Sequence, residues 1–333
     1  MLAEAHTWTP GELAVAKPDR FAQLIEQSWG PSRDPHLGAT HAILVAQGGR
    51  LVYERYGDGW TAEQTHPSWS MAKSITQALV GIMVKDGKLD IDAPADVPEW
   101  SEPGDHRAAI TLDILLRMSS GLKFIEDYVH GGVPRSDVLE MLYHSGKADM
   151  AHYAAMQPLD FPVDSHWHYA SGSTNIISRC ISRALGVDRD GMLAFMRERL
   201  FGPLGMKSPV PKFDAAGTFI GSAYCFCSGQ DFLRFGQLYL NDGVWEGKRI
   251  LPEGWVDYTR TPTRQPPDAE EGYGAQWWLG GGGPGSFSAN GFEGQRIMVL
   301  PDQDTVFVRL GKTPLAQKDV IARWIGEFAD CLR

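Results

Sequence analysis

Residues 70–86, SMAKSITQALVGIMVKD, are the stretch that decides the fold. From Met71 onward the pattern predicts a helix that ends before Gly87, with apolar residues on nearly every face. A helix that is apolar all round belongs inside a protein. Ser70 stands at its amino terminus and Lys73 follows three residues later, so both side chains share one face. The stretch therefore predicts a serine hydroxyl beside a lysine amine at the start of a buried helix.

Sheet-forming segments lie on both sides of the central part of the chain. A hairpin is predicted at residues 41–56, where two β-rich runs flank Gly48-Gly49. Strands separated by glycine and aspartate turns are predicted at residues 273–281, 285–292, 295–302 and 304–311. Helices are predicted at residues 111–118, 136–144, 174–186, 190–202, 228–242 and 321–333.

The order of these segments predicts the fold class and the domain boundaries. The class is α/β in the α+β sense: one antiparallel sheet built from both chain ends, flanked by terminal helices, with a mostly helical domain inserted. Residues 1–66 and 215–333 form the predicted sheet domain, and residues 67–214 form the helical domain. We expect the functional site in the cleft between the two parts.

Composition excludes several classes of function. The net charge of -10 argues against a nucleic-acid partner, because phosphate binding needs a basic face. No stretch approaches the roughly 18 apolar residues of a membrane helix, and the first residues lack the pattern of a secretory signal. We therefore expect a cytoplasmic protein that binds a small molecule and needs no cofactor. A homodimer is possible. Its four cysteines are expected to be free thiols: Cys180, Cys225, Cys227 and Cys331.

Ser70 and Lys73 together suggest nucleophilic catalysis. A serine hydroxyl is a weak nucleophile until a neighbouring base takes its proton, and burial makes a lysine such a base by disfavouring the ammonium. The spacing alone carries little weight, because Ser120 and Lys123 repeat it with a glycine in the turn and no buried helix behind. The alternative for Ser70 is an ordinary N-cap serine with its lysine pointing to water. The apolar helix favours the catalytic interpretation.

Tyr169, in the segment HWHYASGSTNIIS (166–178), is a second candidate. A phenol can relay a proton between a nucleophile and a leaving group. The segment precedes a predicted helix, whereas the similar triplet at residues 143–145 lies within an amphipathic helix. His166 and His168 flank the tyrosine and leave a metal pair or a histidine base as alternatives. Because no carboxylate or cysteine lies beside them, no metal is predicted.

A third candidate is the segment Ala289-Asn290-Gly291, followed by Phe292, on a predicted strand. Glycine permits a close backbone approach there. The strand can offer the Phe292 N–H to an oxyanion, with the N–H of Ser70 as the second donor. A plain strand glycine is the alternative. The sequence has no G-x-S-x-G elbow, no H-E-x-x-H and no phosphate-binding loop, so the motifs of competing kinds of active site are missing.

The three segments follow the order S-x-x-K, Y-x-[NS] and a strand triplet ending in glycine. In this order the chain resembles the serine β-lactamase and penicillin-binding-protein superfamily, and within it the class C-type branch with the nylon-oligomer hydrolases and related esterases. The resemblance extends over about residues 40–311. Matching phrases are LLRMSSGL (115–122), FGPLGM (201–206), SGQDFLRFGQLYLNDG (228–243) and GFEGQRIMVLPD (291–302).

The resemblance implies a hydrolase that forms an acyl-enzyme on the amide or ester bonds of small substrates. Ser70, Lys73 and Tyr169 would be its catalytic residues. FIEDY (124–128) resembles a segment whose tyrosine closes over the substrate, which implies a substrate contact for Tyr128; an aromatic that packs a loop is the alternative. Substrate contacts are also implied for Ser171, Asn290 and Gly291.

One position departs from the pattern. In β-lactamases and peptidases the third triplet begins with a lysine that pairs with a substrate carboxylate, and here that position is Ala289. Loss of such a charge-assisted contact is worth ~1.5–3 kcal/mol. Amide or ester hydrolysis is therefore favoured, with a β-lactamase or D-Ala carboxypeptidase as one alternative. An acylated sensor or scaffold with the same fold is the non-enzyme alternative.

Overall fold

The structure is a computed structural model that describes residues 7–128, 136–267 and 271–332. The strands are β1 (Ala39–Gln47), β2 (Arg50–Tyr56), β3 (Val210–Pro211), β4 (Cys225–Phe226), β5 (Val244–Trp245), β6 (Lys248–Arg249), β7 (Gly272–Tyr273), β8 (Trp278–Leu279), β9 (Phe287–Gly291), β10 (Gln295–Leu300) and β11 (Thr305–Lys312). The helices are α1 (Pro18–Trp29), α2 (Met71–Lys85), α3 (Leu112–Leu116), α4 (Asp137–Tyr143), α5 (Met150–Ala155), α6 (Ser171–Leu185), α7 (Arg189–Met196), α8 (Gly229–Leu240), α9 (Trp255–Arg260) and α10 (Lys318–Cys331).

One antiparallel sheet joins the two ends of the chain. Its strand order is β2-β1-β11-β10-β9-β8-β7, so the early hairpin pairs with the last strand of the late meander. Both faces of β1 are covered. Ala42, Leu44 and Ala46 belong to the large core that includes α2 and α8, whereas Ile43 and Val45 pack with α1 and α10. The predicted fold class is confirmed, and its physical basis is a sheet with helices on both faces.

Helix α2 explains how the nucleophile candidate is held. Every residue from Met71 to Met83 is buried, as the all-round apolar pattern predicts. The helix packs between α6 and strand β9, and it begins directly after Ser70. The serine is therefore placed where the helical core meets the sheet.

One predicted element is wrong. Residues 273–281 were expected as a single strand, but they form the end of β7, a tight turn and β8. The turn is set by Gln276, which has a φ of 59° and is buried. Its side-chain amide binds the Leu116 carbonyl and the Thr174 hydroxyl. These contacts are formed with distant segments, so a local strand pattern cannot reveal the turn.

Other properties of the chain bear on the expectations from composition. Among the residues that the structure describes, no helix has the length and apolar character needed to cross a membrane. All four cysteines are free and buried, and the thiols of Cys225 and Cys227 lie 3.9 Å apart. The domain boundaries, the cytoplasmic location and homodimer formation stay predictions.

Candidate active site

Ser70 lies at the end of a sharply turned segment. Trp69, directly before it, has a φ of 44°, a left-handed conformation that bulky residues rarely adopt. The Trp69 indole N–H donates to the Glu293 carboxylate at 3.2 Å. The Ser68 hydroxyl donates to the Ala223 carbonyl and accepts from the backbone N–H of Cys225, the first residue of β4. These contacts hold the turn, so the Ser70 side chain has a defined direction at the start of α2.

Lys73 meets Ser70 as the helical spacing predicts. Its side chain is 1% exposed, and Nζ lies 3.0 Å from Ser70 Oγ. Nζ also lies 3.0 Å from Ser171 Oγ and 2.9 Å from the Ser222 carbonyl oxygen. Burial lowers the pKa of Lys73 to about 8, although the negative charge of Glu126 acts in the opposite direction. A substantial fraction of the lysine is therefore neutral in mildly alkaline solution.

Tyr169 is brought to the same place by the start of α6. Its phenol lies near the Ser70 hydroxyl, and Lys73 Nζ lies 4.8 Å from the centre of its ring. Burial, with the charge of Glu126 as a further cause, raises the pKa of Tyr169 well above its usual range. The phenol is therefore protonated at neutral pH and is suited to donate a proton rather than to act as a tyrosinate base.

Strand β9 runs directly against the turn that carries Ser70. A Cβ atom on Gly291 would lie 2.5 Å from the Ser68 carbonyl oxygen, so only glycine fits this approach. Phe292 follows and begins a short 3₁₀ turn, Phe292–Gly294. The N–H groups of Phe292 and Ser70 thus both stand at the start of helical turns, where N–H groups have no intrahelical acceptor.

One open cleft of about 970 Å³ is lined by Ser70, Tyr169, Gly291 and Phe292, while Lys73 lies buried behind Ser70. Aromatic rings form two of its sides: Tyr128 stacks on Phe292 with ring centres 5.0 Å apart, and Trp278 stacks on Tyr169 at 5.6 Å. Helix α10 contributes a charged rim. The cleft is lined by Ser70, Tyr128, Tyr169, Glu271, Trp278, Gly280, Gly281, Asn290, Gly291, Phe292, Lys318, Asp319, Ala322 and Arg323.

Comparison with known proteins identifies the family. The family model described as Beta-lactamase matches residues 22–328. The chain belongs to the Beta-lactamase family. A curated relative, the 6-aminohexanoate-dimer hydrolase of Paenarthrobacter ureafaciens, is 25% identical over 295 residues, which are 83% of this chain and 73% of that protein. The family and this relative show that the chain is a hydrolase of the β-lactamase and penicillin-binding-protein superfamily, as the resemblance implied.

Solved structures show that this Beta-lactamase-family chain also shares the family's fold. A Bacillus anthracis protein provisionally described as a 6-aminohexanoate-dimer hydrolase superposes with a TM-score of 0.79 at 21% identity, over 98% of this chain and 88% of that one. A penicillin-binding-protein homolog from Caulobacter crescentus gives a TM-score of 0.70 at 16% identity, over 95% and 98%. At these identities the likeness concerns the fold alone.

Sequence reasoning did not single out Glu126, which the structure places beside the predicted residues of this Beta-lactamase-family site. Its carboxylate accepts the Ser171 hydroxyl at 2.6 Å and the Ser171 backbone N–H at 2.8 Å. It also accepts the Tyr128 hydroxyl at 2.6 Å. A signal was present in FIEDY, because residues two apart in an extended segment point to the same side. Ser171, whose hydroxyl and N–H bind Glu126, lies 45 positions away from Glu126 in the chain.

The implied substrate-contact residues take different positions in this Beta-lactamase-family site. Tyr128, Asn290 and Gly291 line the cleft. The Asn290 amide is already engaged, because it donates to Glu271 at 2.9 Å and accepts from the Ser288 hydroxyl. Ser171 is buried between Lys73 and Glu126 rather than exposed in the cleft.

The competing motifs lie elsewhere. Ser120 accepts a hydrogen bond from the Leu122 backbone in a turn where Gly121 has a φ of 74°, and Lys123 is exposed. Tyr143 is exposed and contacts Tyr224. His166 stacks on Phe161, and the ring of His168 contacts the Phe124 carbonyl. Within residues 7–128, 136–267 and 271–332, no group of three or more His, Cys, Asp or Glu side chains could hold a metal ion.

Replacement of Gly291 by alanine tests the close approach of β9. The added methyl group must displace either the strand or the Ser68 carbonyl. Because a displacement of about 1 Å can cost roughly 100-fold in rate, we expect kcat to fall by ~10- to 100-fold while the melting temperature changes little. Gly272→Ala is the control, since its Cβ would make only an ordinary 3.4 Å contact in the same sheet. Equal kcat values for the two variants would argue against a constrained approach at Gly291.

Proposed function

We propose that this chain hydrolyses amide or ester bonds of small substrates through an acyl-enzyme on Ser70, as an oligomer amidase or carboxylesterase does. The observation that carries the proposal is the buried pair in which Lys73 Nζ lies 3.0 Å from Ser70 Oγ. A lysine held at a pKa of about 8 supplies the neutral amine that this chemistry needs.

The acylation step follows from the contacts of the cleft. Neutral Lys73 takes the proton of Ser70, whose oxygen attacks the substrate carbonyl carbon. The backbone N–H groups of Ser70 and Phe292 stabilise the resulting oxyanion. When the intermediate collapses, protonated Tyr169 gives its proton to the departing amine or alcohol. The proton held by Lys73 then replaces the one that Tyr169 has lost, so the step balances.

Deacylation uses the same groups in reverse. A water molecule takes the place of the leaving group and gives its proton to the Lys73 and Tyr169 pair as it attacks the acyl carbon. The same two N–H groups stabilise the second oxyanion. Collapse releases the acid and returns the proton to Ser70, which regenerates the free enzyme.

The substrate class is supported by what the third segment lacks. Ala289 is buried and brings no cation to the place where β-lactamases and peptidases hold a substrate carboxylate. We therefore favour substrates recognised by the aromatic walls of the cleft over β-lactams and peptide termini. The relative from Paenarthrobacter ureafaciens, named for 6-aminohexanoate-dimer hydrolysis, supports the choice of an amide-oligomer substrate for the first tests.

A substrate panel with a labelling experiment tests the proposal. We expect turnover of p-nitrophenyl esters or the 6-aminohexanoate dimer and little turnover of nitrocefin. A fluorophosphonate probe should modify Ser70, as located by peptide mass spectrometry. Faster turnover of nitrocefin than of any ester or amide would support the β-lactamase alternative. Labelling of Ser70 without turnover of any substrate would support the sensor or scaffold alternative, and labelling of Ser120 would refute the assigned nucleophile.

The pH dependence of kcat/KM follows from the pKa of Lys73. Only the neutral amine can accept the Ser70 proton, so protonation below the pKa removes activity. We expect kcat/KM for an ester to rise about tenfold per pH unit on the acid side and to level off above a midpoint near pH 8. The measurement is initial rates between pH 5.5 and pH 9.5, an interval of about four units that spans this midpoint. A midpoint below about pH 6 would point to a different base, such as a histidine.

A further inference from the structure

A chain of polar contacts runs from the nucleophile candidate to a carboxylate. Ser70 Oγ lies 3.0 Å from Lys73 Nζ, and the same Nζ lies 3.0 Å from Ser171 Oγ. Ser171 Oγ lies 2.6 Å from Glu126 Oε1, and the Ser171 N–H donates to Glu126 Oε2 at 2.8 Å. The mechanism above uses the first two of these four residues. Ser171 and Glu126 have no role in it, although both belong to the same chain of contacts.

The hydrogen atoms on Lys73 limit how this chain can be arranged. A neutral amine has two N–H groups and one lone pair, and Nζ has three oxygen neighbours. The Ser222 carbonyl can only accept, so it takes one N–H. If Ser171 Oγ takes the other, the lone pair is left for the Ser70 hydroxyl, as general-base catalysis requires.

Ser171 decides between a productive and a competing arrangement. Its hydroxyl carries a single proton, which can be given either to Glu126 or to the lone pair of Lys73. In the second case Ser171 would occupy the lone pair that Ser70 needs. The Glu126 carboxylate only accepts hydrogen bonds, and it is held in place by the Ser171 N–H and the Tyr128 hydroxyl. It therefore takes the Ser171 proton.

We propose that Glu126 is a positioning residue: by accepting the Ser171 proton it directs the free lone pair of Lys73 to Ser70. This inference rests on the proposed function, in which Lys73 is the base, and it adds a carboxylate that acts through Ser171 without touching the substrate carbonyl. Because Lys73, Ser171 and Glu126 form one hydrogen-bonded unit, the rate losses caused by replacing them singly should not add up.

The charge of Glu126 has a second consequence, which can be measured as a pH shift. A carboxylate near Lys73 favours the ammonium form and so opposes the effect of burial. Three phenols around the site, those of Tyr128, Tyr169 and Tyr273, stay neutral, because burial raises their pKa values well above the usual range. The cleft is also lined by the charged residues Glu271, Lys318, Asp319 and Arg323, which the substitution at Glu126 leaves in place. Across the sheet from α2, Arg296 is paired with Glu271. Loss of the Glu126 charge should therefore lower the pKa of Lys73.

The experiment compares Glu126→Gln with the parent enzyme, using the rate of fluorophosphonate labelling of Ser70 as a function of pH. This readout reports activation of the nucleophile even if no panel substrate is turned over. The amide of glutamine has one acceptor oxygen, so it cannot accept all three hydrogen bonds. We expect the plateau rate to fall by roughly 10- to 100-fold, a part of the 10²- to 10⁴-fold effect of general-base catalysis. The acid-side midpoint should move about half a unit to one unit lower.

The control is Glu54→Gln. Glu54 accepts the hydroxyl of Tyr56 two residues later, as Glu126 accepts that of Tyr128, but it lies on β2 and outside the cleft. This variant should keep both the plateau rate and the midpoint of the parent. A shift of the midpoint in Glu54→Gln as large as in Glu126→Gln would overturn the proposal.

A double-mutant cycle asks whether Glu126 acts through Ser171. Ser171→Ala removes an acceptor of the Lys73 ammonium, so it should also lower the midpoint and the plateau rate. If the proposal is correct, adding Glu126→Gln to Ser171→Ala costs less than threefold more in plateau rate, in place of the roughly 10- to 100-fold seen alone. Additive losses, or a parent-like midpoint in Glu126→Gln, would overturn it. If Glu126→Gln does not fold by circular dichroism, the plateau rate of Ser171→Ala decides, because the proposal requires that rate to fall although the charge of Glu126 remains.

Failure of the proposed function gives a different pattern. A parent enzyme that is labelled at Ser70 but hydrolyses nothing in the panel would contradict the proposed function and leave the labelling rates to judge Glu126. A parent enzyme that hydrolyses esters while Glu126→Gln matches it in rate and midpoint would contradict the positioning role alone.

Discussion

Replacement of Ser70 by alanine is expected to remove hydrolysis almost completely, with kcat falling by roughly 10⁴- to 10⁶-fold. Two hydroxyls contact Lys73 Nζ, those of Ser70 and Ser171, but only Ser70 lines the cleft. Ser171 is 1% exposed and gives its proton to Glu126, so it cannot take over the attack. The measurement is kcat for the best ester or amide of the panel, with active-site titration by the fluorophosphonate.

The matched control is Ser120→Ala, because Ser120 and Lys123 carry the same S-x-x-K spacing. Ser120 is buried and does not line the cleft, so the substitution tests the repeated motif away from the site. We expect parent-like kcat and complete labelling at Ser70. If Ser70→Ala kept more than a few per cent of the activity, or if Ser120→Ala lost it, the nucleophile would be misassigned.

Replacement of Lys73 by methionine is expected to lower kcat/KM by ~10²- to 10⁴-fold and to remove its rise with pH. The methionine fills a similar volume but has no lone pair to accept the Ser70 proton. It also leaves the Ser222 carbonyl and the Ser171 hydroxyl without their amine partner. The fold should persist, because an apolar chain at this fully buried position has no charge to desolvate. Initial rates across the pH range, together with a thermal melt, test both statements.

Lys123→Met is the control for this variant, since Lys123 is exposed and lies in the repeated motif. It should leave both the rate and the pH profile unchanged. A Lys73→Met enzyme with low activity but the same acid-side midpoint as the parent would show that another group titrates. Tyr169 would then be tested next, because its phenol lies near Ser70 in the same cleft.

Much of the fold could be predicted because its signals are local. The Gly48-Gly49 turn between two β-rich runs predicts the hairpin of β1 and β2, and the all-round apolar pattern predicts buried α2. The break between β7 and β8 could not be predicted, because Gln276 adopts its left-handed conformation for the sake of contacts with Leu116 and Thr174. Those partners come from distant helical segments.

By itself the sequence determined which side chains a single helix brings together. Ser70 and Lys73 lie on one face because a helix has 3.6 residues per turn, and the apolar residues that follow predict their burial. The family order of the three segments then distinguished this pair from Ser120 and Lys123. Tyr169 could also be singled out from the sequence, because its motif is the second in this order and lies directly before a predicted helix.

Only the tertiary structure decided how these groups behave chemically. The pKa of Lys73 depends on the density of the core around it, and the orientation of its lone pair depends on Ser171 and Glu126. In the chain, Lys73 and Ser171 are separated by 98 positions, and Ser171 and Glu126 by 45. Hydrogen bonds and desolvation act over a few ångströms of space whatever the separation in sequence. The serine and lysine at the start of α2 could therefore be found from the sequence, whereas the contact through which the Glu126 carboxylate orients the lysine could be found only after folding.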